Sequence, residues 1–332
     1  MRLRRCPTTR RDFAILLLGA TLAGARPLRA QQRLPLIGVL VLGGAISARN
    51  LALSSELARL GYIDERNFAL KILAADGDLS RLPQLARELV AQSPKVLVSA
   101  STIAAQALAA ATHDVPIVVT VTVDPIAAGL SDSMARPSRN VTGFTSSTPA
   151  LVAKRLELLH QLVAGLRRVA YVSVPEGPAY AIFEPYIRAA TSALDVTVVS
   201  IPITAATAQG VSEAFLAADA AKVQAVLIGI HPTMTQLSGH IINECLVRNL
   251  PSVHPWSFEV QAGALMSYGP AALENNAGAA RYIDRILKGA RISELPFEEP
   301  TDIKFAINLR TARSMKIAIP PTLLARADEV VE

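Results

Sequence analysis

From Leu36 to His254, short uninterrupted apolar runs of roughly four to eight residues alternate with amphipathic stretches of roughly ten to eighteen. The runs show no polar alternation, so each would be covered on both faces, as in a parallel sheet flanked by helices. The first series places strands at 36–42, 68–73, 95–100, 116–121 and 141–144. Between them the periodicity predicts helices at 51–60, 79–92, 103–111 and 127–135, with Gly61 ending the first. The pattern then restarts. Helices are expected at 150–164, 179–193, 208–220 and 235–247, and strands at 168–174, 196–203, 224–230 and 251–254. One more strand–helix pair, 303–309 and 311–315, closes the chain. No short repeat recurs, which excludes a solenoid. Two α/β lobes of similar size follow, and the crevice between two such lobes is a common ligand site.

The first thirty residues break this pattern. They carry Arg2, Arg4, Arg5, Arg10, Arg11, Arg26 and Arg29 against a single acid, Asp12. The apolar run 13–25 would span roughly 20 Å as a helix, short of the ~30 Å hydrocarbon core. A basic start, a short apolar middle and small residues near the end describe a cleaved export leader, not an anchor. Thr9-Arg10-Arg11-Asp12-Phe13 resembles the twin-arginine export signal, and cleavage is expected near Ala30. The stretches 96–113 and 223–243 contain too many polar and turn residues to span a membrane.

The leader also explains the charge. The chain has 33 Lys+Arg against 27 Asp+Glu, a net +6. Loss of the leader's seven arginines and one aspartate leaves 26 of each, a neutral body. The basic balance is therefore an export address, and no nucleic-acid partner is expected. Cys6 precedes the apolar run and leaves with the leader. Cys245 would remain alone, reading as a buried helix residue.

Motifs of catalysis are missing. There is no P-loop, no Gly-x-Gly-x-x-Gly after the first strand, no Gly-x-Ser-x-Gly and no His-Glu-x-x-His. Gly43-Gly44 alone carries little weight. No cofactor, metal or catalytic activity is expected. Of the five histidines, only His231 and His254 fall at expected strand ends. What remains is a set of polar residues just beyond the strands. Ser99, Ser101 and Thr102 stand where a strand gives way to a helix. They could place a ligand anion at the helix start, or serve only as caps. Asp124 could receive an ammonium, or cap a helix over 127–135. Tyr268, and with less weight Trp256 and Phe258, could stack on a ligand or fill the interlobe interface.

The C-terminal third carries a more specific pattern. Met266-Ser267-Tyr268-Gly269-Pro270, Arg281-Tyr282-Ile283-Asp284-Arg285-Ile286-Leu287-Lys288-Gly289, Leu295-Pro296, Glu299-Pro300-Thr301 and Ile319-Pro320-Pro321 occur in order. Upstream lie Leu60-Gly61-Tyr62, Asp124-Pro125, Asn140-Val141-Thr142-Gly143 and Lys154-Arg155-Leu156-Glu157-Leu158-Leu159. Together these resemble the ABC-transporter substrate-binding proteins of the tryptophan/tyrosine-binding type, over roughly residues 34–332. The resemblance implies a type I periplasmic-binding-protein fold: two doubly wound parallel-sheet lobes with three crossovers. Lobe one would comprise 34–147 plus 264–296, and lobe two 148–263 plus 297–332. It also implies a monomeric periplasmic receptor for a small solute, an amino acid or similar, that closes by hinge motion and docks on membrane permease subunits. A sensory module for a membrane kinase would share this fold, and a secreted α/β enzyme is a remoter alternative. Ser101-Thr102 stand where the family has Gly-Thr. Asp124 and Ser267-Tyr268 match its Asp-Pro and Ser-Tyr-Gly. Departures fall at the cleft: Leu42-Gly43-Gly44 replaces a Pro/Ser loop, Val174-Pro175-Glu176 replaces an Asn-Pro pair, and His231-Pro232 replaces an Asp-Pro. Glu176 and His231 would therefore tune selectivity from the second lobe, and the ligand's identity does not carry over.

Overall fold

The computed structural model describes residues 34–44, 48–145, 149–175, 178–270 and 274–332. The expected leader and Glu176 lie outside the described residues. From Pro35 onward the chain forms a unit of its own.

The first lobe is built from β1 (Leu36–Val41), α1 (Ala48–Arg59), β2 (Ala69–Ala74), α2 (Leu82–Ala91), β3 (Val96–Ser99), α3 (Thr102–Ala111), β4 (Ile117–Thr122) and β5 (Val141–Thr145). Its five strands lie in the order β2-β1-β3-β4-β5, all parallel. Both faces are apolar because both are covered. Ile37, Val39 and Val98 face one core, Leu40, Leu97 and Leu108 the other, and each is at most 2% exposed. Burying such a side chain is worth roughly 1.5–3 kcal/mol, which is why no polar alternation is tolerated.

The chain then crosses into a second lobe. There follow α4 (Pro149–Leu162), β6 (Arg168–Ser173), α5 (Pro178–Leu194), β7 (Thr197–Pro202), α6 (Ala208–Ala220), β8 (Ala225–Ile228), α7 (Pro232–Gln236), α8 (Ser238–Val247), β9 (Ser252–His254), α9 (Ser257–Gln261) and β10 (Met266–Pro270). A second crossing returns α10 (Glu274–Leu287) to the first lobe, where it packs on β4, β5 and α1. A third brings β11 (Ile303–Asn308), α11 (Leu309–Ser314), α12 (Pro321–Leu324) and β12 (Glu329–Val331) back to the second lobe. Its sheet runs β12-β11-β10-β9-β8-β6-β7. β11 pairs antiparallel with β10, departing from the all-parallel expectation. The cause is topological. A strand re-entering from the other lobe starts at the edge where the lobes meet, so it must run away from that edge.

Four expectations need correction. The second crossing falls after β10, not at 264: β10 pairs with β9 and β11, so 264–270 belong to the second lobe. The first lobe in turn extends past 296, because Glu298 bridges to Phe144 beside β5. Residues 127–135 form no helix. The Asp124 carboxylate captures the Ile126 and Ala127 N–H groups at 2.9 and 3.0 Å, and Gly129 at φ +69° closes the turn instead of propagating it. The helix expected over 235–247 begins earlier, at Pro232, and is divided at the buried Leu237 (φ −90°, ψ 3°).

The returning segment is fastened to the first lobe by polar contacts at fixed points. Thr142 Oγ1 donates to the Leu295 carbonyl at 2.6 Å, and Tyr282 Oη donates to the Pro296 carbonyl and Glu298 at 2.7 and 2.8 Å. Phe144 packs against Tyr282 with ring centroids 4.9 Å apart and ring planes tilted by 49°. A Cβ at position 278 would overlap the Phe144 ring, so only glycine lets α10 approach this closely.

Candidate functional site: the edges of two facing sheets

The loops after β1 and β2 touch α7, the helix that follows β8. A Cβ built on Gly43 would lie 2.7 Å from Gln236 Nε2, and one on Gly77 would lie 3.6 Å from Gln236 Oε1. The carboxyl-terminal edges of the two parallel sheets therefore face each other. This is where an open α/β sheet presents helix starts and loop side chains to a ligand.

On the first lobe the edge is organised by hydroxyls. Ser99, fully buried, donates from Oγ to the Ser101 carbonyl at 2.7 Å and accepts from the Ser101 N–H at 3.3 Å. Ser101, with extended φ and ψ of −159° and 156°, caps α3 by accepting from the Ala104 N–H. Thr102 Oγ1 lies 3.1 Å from Thr122 Oγ1 and accepts from the Val123 N–H at 3.4 Å. All three hydroxyls are thus engaged in holding the β3–α3 turn against the end of β4. The cap leaves the first N–H groups of α3, those of Thr102 and Ile103, without intrahelical partners, as at any helix start. They mark the positive end of a ten-residue helix. Asp124 sits on the same edge, one of its oxygens taken by its own turn.

On the second lobe the edge presents His231. It caps α7, its Nδ1 accepting from the Thr233 N–H at 3.2 Å. That bond puts the proton of the neutral ring on Nε2. Burial pushes the imidazole pKa down from 6.5 to about 4, so the ring is neutral at pH 7. Nε2 is buried and has no protein partner. It is a donor awaiting an acceptor.

Ser267 and Tyr268 lie within β10, in the second lobe. Ser267 is fully buried beside His254 in the strand register, with an unpartnered Oγ. Tyr268 is half-buried, its ring edge-on to Phe305 at 6.3 Å. Its carbonyl accepts from Nε of Arg155, which is itself fully buried. Desolvation pushes the Arg155 pKa down from 12.5 to about 10. Trp256 is buried at the start of α9, and Cys245 is buried in α8 with its thiol pushed up to about 12. The structure thus gathers Ser99, Ser101, Thr102 and Asp124 on one edge and His231 on the other, and sets Ser267 deep in a sheet.

Sequence reasoning missed several further groups. Thr145 and Ser173 end β5 and β6, each with a buried, unpartnered Oγ. A hydroxyl closing an otherwise apolar strand was the available signal. Arg155 entered only as part of the motif 154–159, and Gln236 gave no signal, since each lies in an ordinary helical pattern.

Two α/β lobes, joined by three chain crossings and facing each other along their strand ends, define a bilobal solute-binding protein. The chain belongs to the ABC transporter substrate binding protein family, whose pattern it matches over residues 37–331. A tyrosine-binding protein from Clostridioides difficile (strain R20291) is 31% identical over 112 residues, which cover 34% of this chain and only 32% of that protein. Among solved structures, a conserved domain protein from Vibrio cholerae superposes with a TM-score of 0.82 at 25% identity, covering 90% of this chain and all of that one. An ABC domain in complex with L-Trp from Streptococcus pneumonia gives 0.81 at 24% identity, with the same coverage of both chains. The family is one of transporter substrate-binding proteins, and the two solved structures share its fold. Among the described residues no helix is long and apolar enough to cross a membrane.

Proposed function

We propose that this chain is the periplasmic receptor of an ABC importer, a monomer that captures a small amino acid-like solute between its lobes. The observation that carries the reading is the placement of two donor features on opposing edges: the start of α3, whose first N–H groups lack intrahelical partners, on one lobe and the unpartnered His231 Nε2 on the other. A carboxylate held first by the Thr102 and Ile103 N–H groups gains the His231 hydrogen bond only when the lobes close. A contact made in one state alone is what shifts a hinge equilibrium. Ser99, Ser101 and Thr102 act by holding the α3 start in place. The Asp124 oxygen outside its turn receives the ammonium, and Tyr268 offers aromatic surface. Glu176, which follows β6 in the sequence, would tune selectivity from the second lobe. The arginine-rich leader supports export, and the closed receptor would dock on permease subunits.

The test is a thermal-shift screen over amino acids and small organic solutes, with L-tryptophan and L-tyrosine first, repeated on Asp124→Ala. Amino acids should raise the midpoint of the parent protein and lose most of that effect in the variant. If amines bind Asp124→Ala unchanged, the ammonium role is wrong. If no carboxylate-bearing solute binds the parent, the whole assignment is wrong.

A further inference from the structure

Gln236 is the last residue of α7, whose first turn is capped by His231. Its carboxamide points both ends at glycines of the other lobe, Nε2 toward Gly43 and Oε1 toward Gly77. These glycines come from two separate loops that are tied together. The Ala75 N–H donates to the Val41 carbonyl at 3.0 Å, and the Gly77 N–H donates to the Leu42 carbonyl at 2.7 Å. Gly77 has φ +89°, a conformation that side chains avoid. The loop continues into a local lock, Asp78 accepting from both the N–H and the hydroxyl of Ser80 at 2.9 and 2.7 Å. The result is a rigid notch without side chains on its floor, filled by one carboxamide from across the cleft.

We propose that Gln236 is a closure latch, a positioning residue that sets the affinity for solute without touching it. The proposal rests on the reading that the lobes close on a ligand. The latch and the ligand-facing donor sit at the two ends of one five-residue helix. A displacement of α7 that seats Gln236 in the notch therefore also delivers His231 to the cleft. The departure from the family's Pro/Ser loop acquires a physical reason: any side chain at position 43 would stand where the carboxamide lies.

The notch can be blocked without disturbing its own lobe. On Gly43→Ala the new methyl meets only the far end of Gln236, a flexible side chain that can swing aside. Gly77→Ala is unsuitable, because its φ would strain the loop itself. Gln236→Ala removes the other partner. Each single variant should weaken binding of the best solute in the screen by about five-fold, the size of one modest contact between neighbouring residues. The loss should appear as faster dissociation, with ligand-free thermal midpoints unchanged. The double variant should be no weaker than either single one, because both remove the same contact. By small-angle X-ray scattering, both ligand-free variants should show a larger radius of gyration than the parent. Additive losses, or parent-like affinity and radius in Gln236→Ala, would overturn the latch. If no solute binds the parent, the functional reading fails and the scattering comparison still decides the latch.

Discussion

The pH dependence of stability should be traceable to His231. Its pKa is pushed from 6.5 to about 4 by burial alone, since no charged group opposes or reinforces the shift. A lowering of about 2.5 units corresponds to about 3 kcal/mol between the charged and neutral forms. The sign follows from proton uptake. Between pH 6.5 and about 4 the unfolded chain binds a proton that the folded chain refuses, so stability falls as pH falls. Above pH 6.5 both states are neutral and the contribution is complete. Integrating between about pH 7 and about pH 4.5 gives a loss of about 2 kcal/mol from this one ring. Other groups titrate over the same range, so the parent is compared with His231→Asn. Asparagine keeps a side-chain oxygen for the Thr233 N–H and has nothing to protonate. Urea unfolding followed by circular dichroism at the two pH values should show the parent losing about 2 kcal/mol more than the variant. Equal losses would mean that the ring protonates as easily folded as unfolded. The buried, neutral Nε2 donor would then have to be abandoned, and with it the ligand contact assigned to it.

Arg155 and Gly143 supply two further tests. At pH 7 desolvation of the fully buried guanidinium, partly offset by Tyr171, Glu259 and Tyr268, leaves a net penalty of about 3 kcal/mol, against one charge-assisted bond to the Tyr268 carbonyl worth about 1.5–3 kcal/mol. Arg155→Met, similar in length and uncharged, should therefore unfold within about 1.5 kcal/mol of the parent in urea; a loss above about 4 kcal/mol would show that the free guanidinium nitrogens have partners. Gly143→Ala should lower stability by more than about 4 kcal/mol or prevent folding, because φ is +146° and the new methyl would overlap the Val119 backbone. Gly44→Ala, with nothing within 4 Å of the added carbon, should express and melt like the parent.

Elements whose cause is local were legible in the residues. The helix over Ala208–Ala220 occupies the expected positions because Thr207 caps it by accepting from the Gly210 N–H and Ala221 closes it. The strands β1, β3 and β4 fall within a residue or so of expectation because burial on both faces leaves a nearly unmixed apolar run. Where two local causes compete, the pattern misleads. Residues 127–135 were expected to form a helix, yet an aspartate ahead of them can satisfy the same N–H groups that a helix start would leave free, and here it does. The strand β10 failed to register because Met-Ser-Tyr-Gly-Pro lacks an apolar run. It is a strand through its pairing with β9 and β11, which no property of five residues can announce.

The site divides along the same line. Serine and threonine at a strand-to-helix turn were recognisable, but whether their hydroxyls face a ligand or their own backbone depends on a hydrogen bond two or three residues away. For Ser99 and Ser101 the backbone wins, which moves recognition from the hydroxyls to the peptide N–H groups that those hydroxyls hold in place. His231 shows the converse. Its place at a strand end marked it as a ligand-facing residue, and burial fixes the form in which it faces the cleft, a neutral donor. Gly43 shows the limit. A glycine after a strand ordinarily means a turn that needs positive φ, but Gly43 is not among the residues with positive φ. Its lack of a side chain is explained only by Gln236, nearly two hundred residues away in the sequence and in the other lobe. A contact made only when two lobes meet leaves no periodic trace in either, so the closing motion has to be read from the facing surfaces rather than from the elements that carry them.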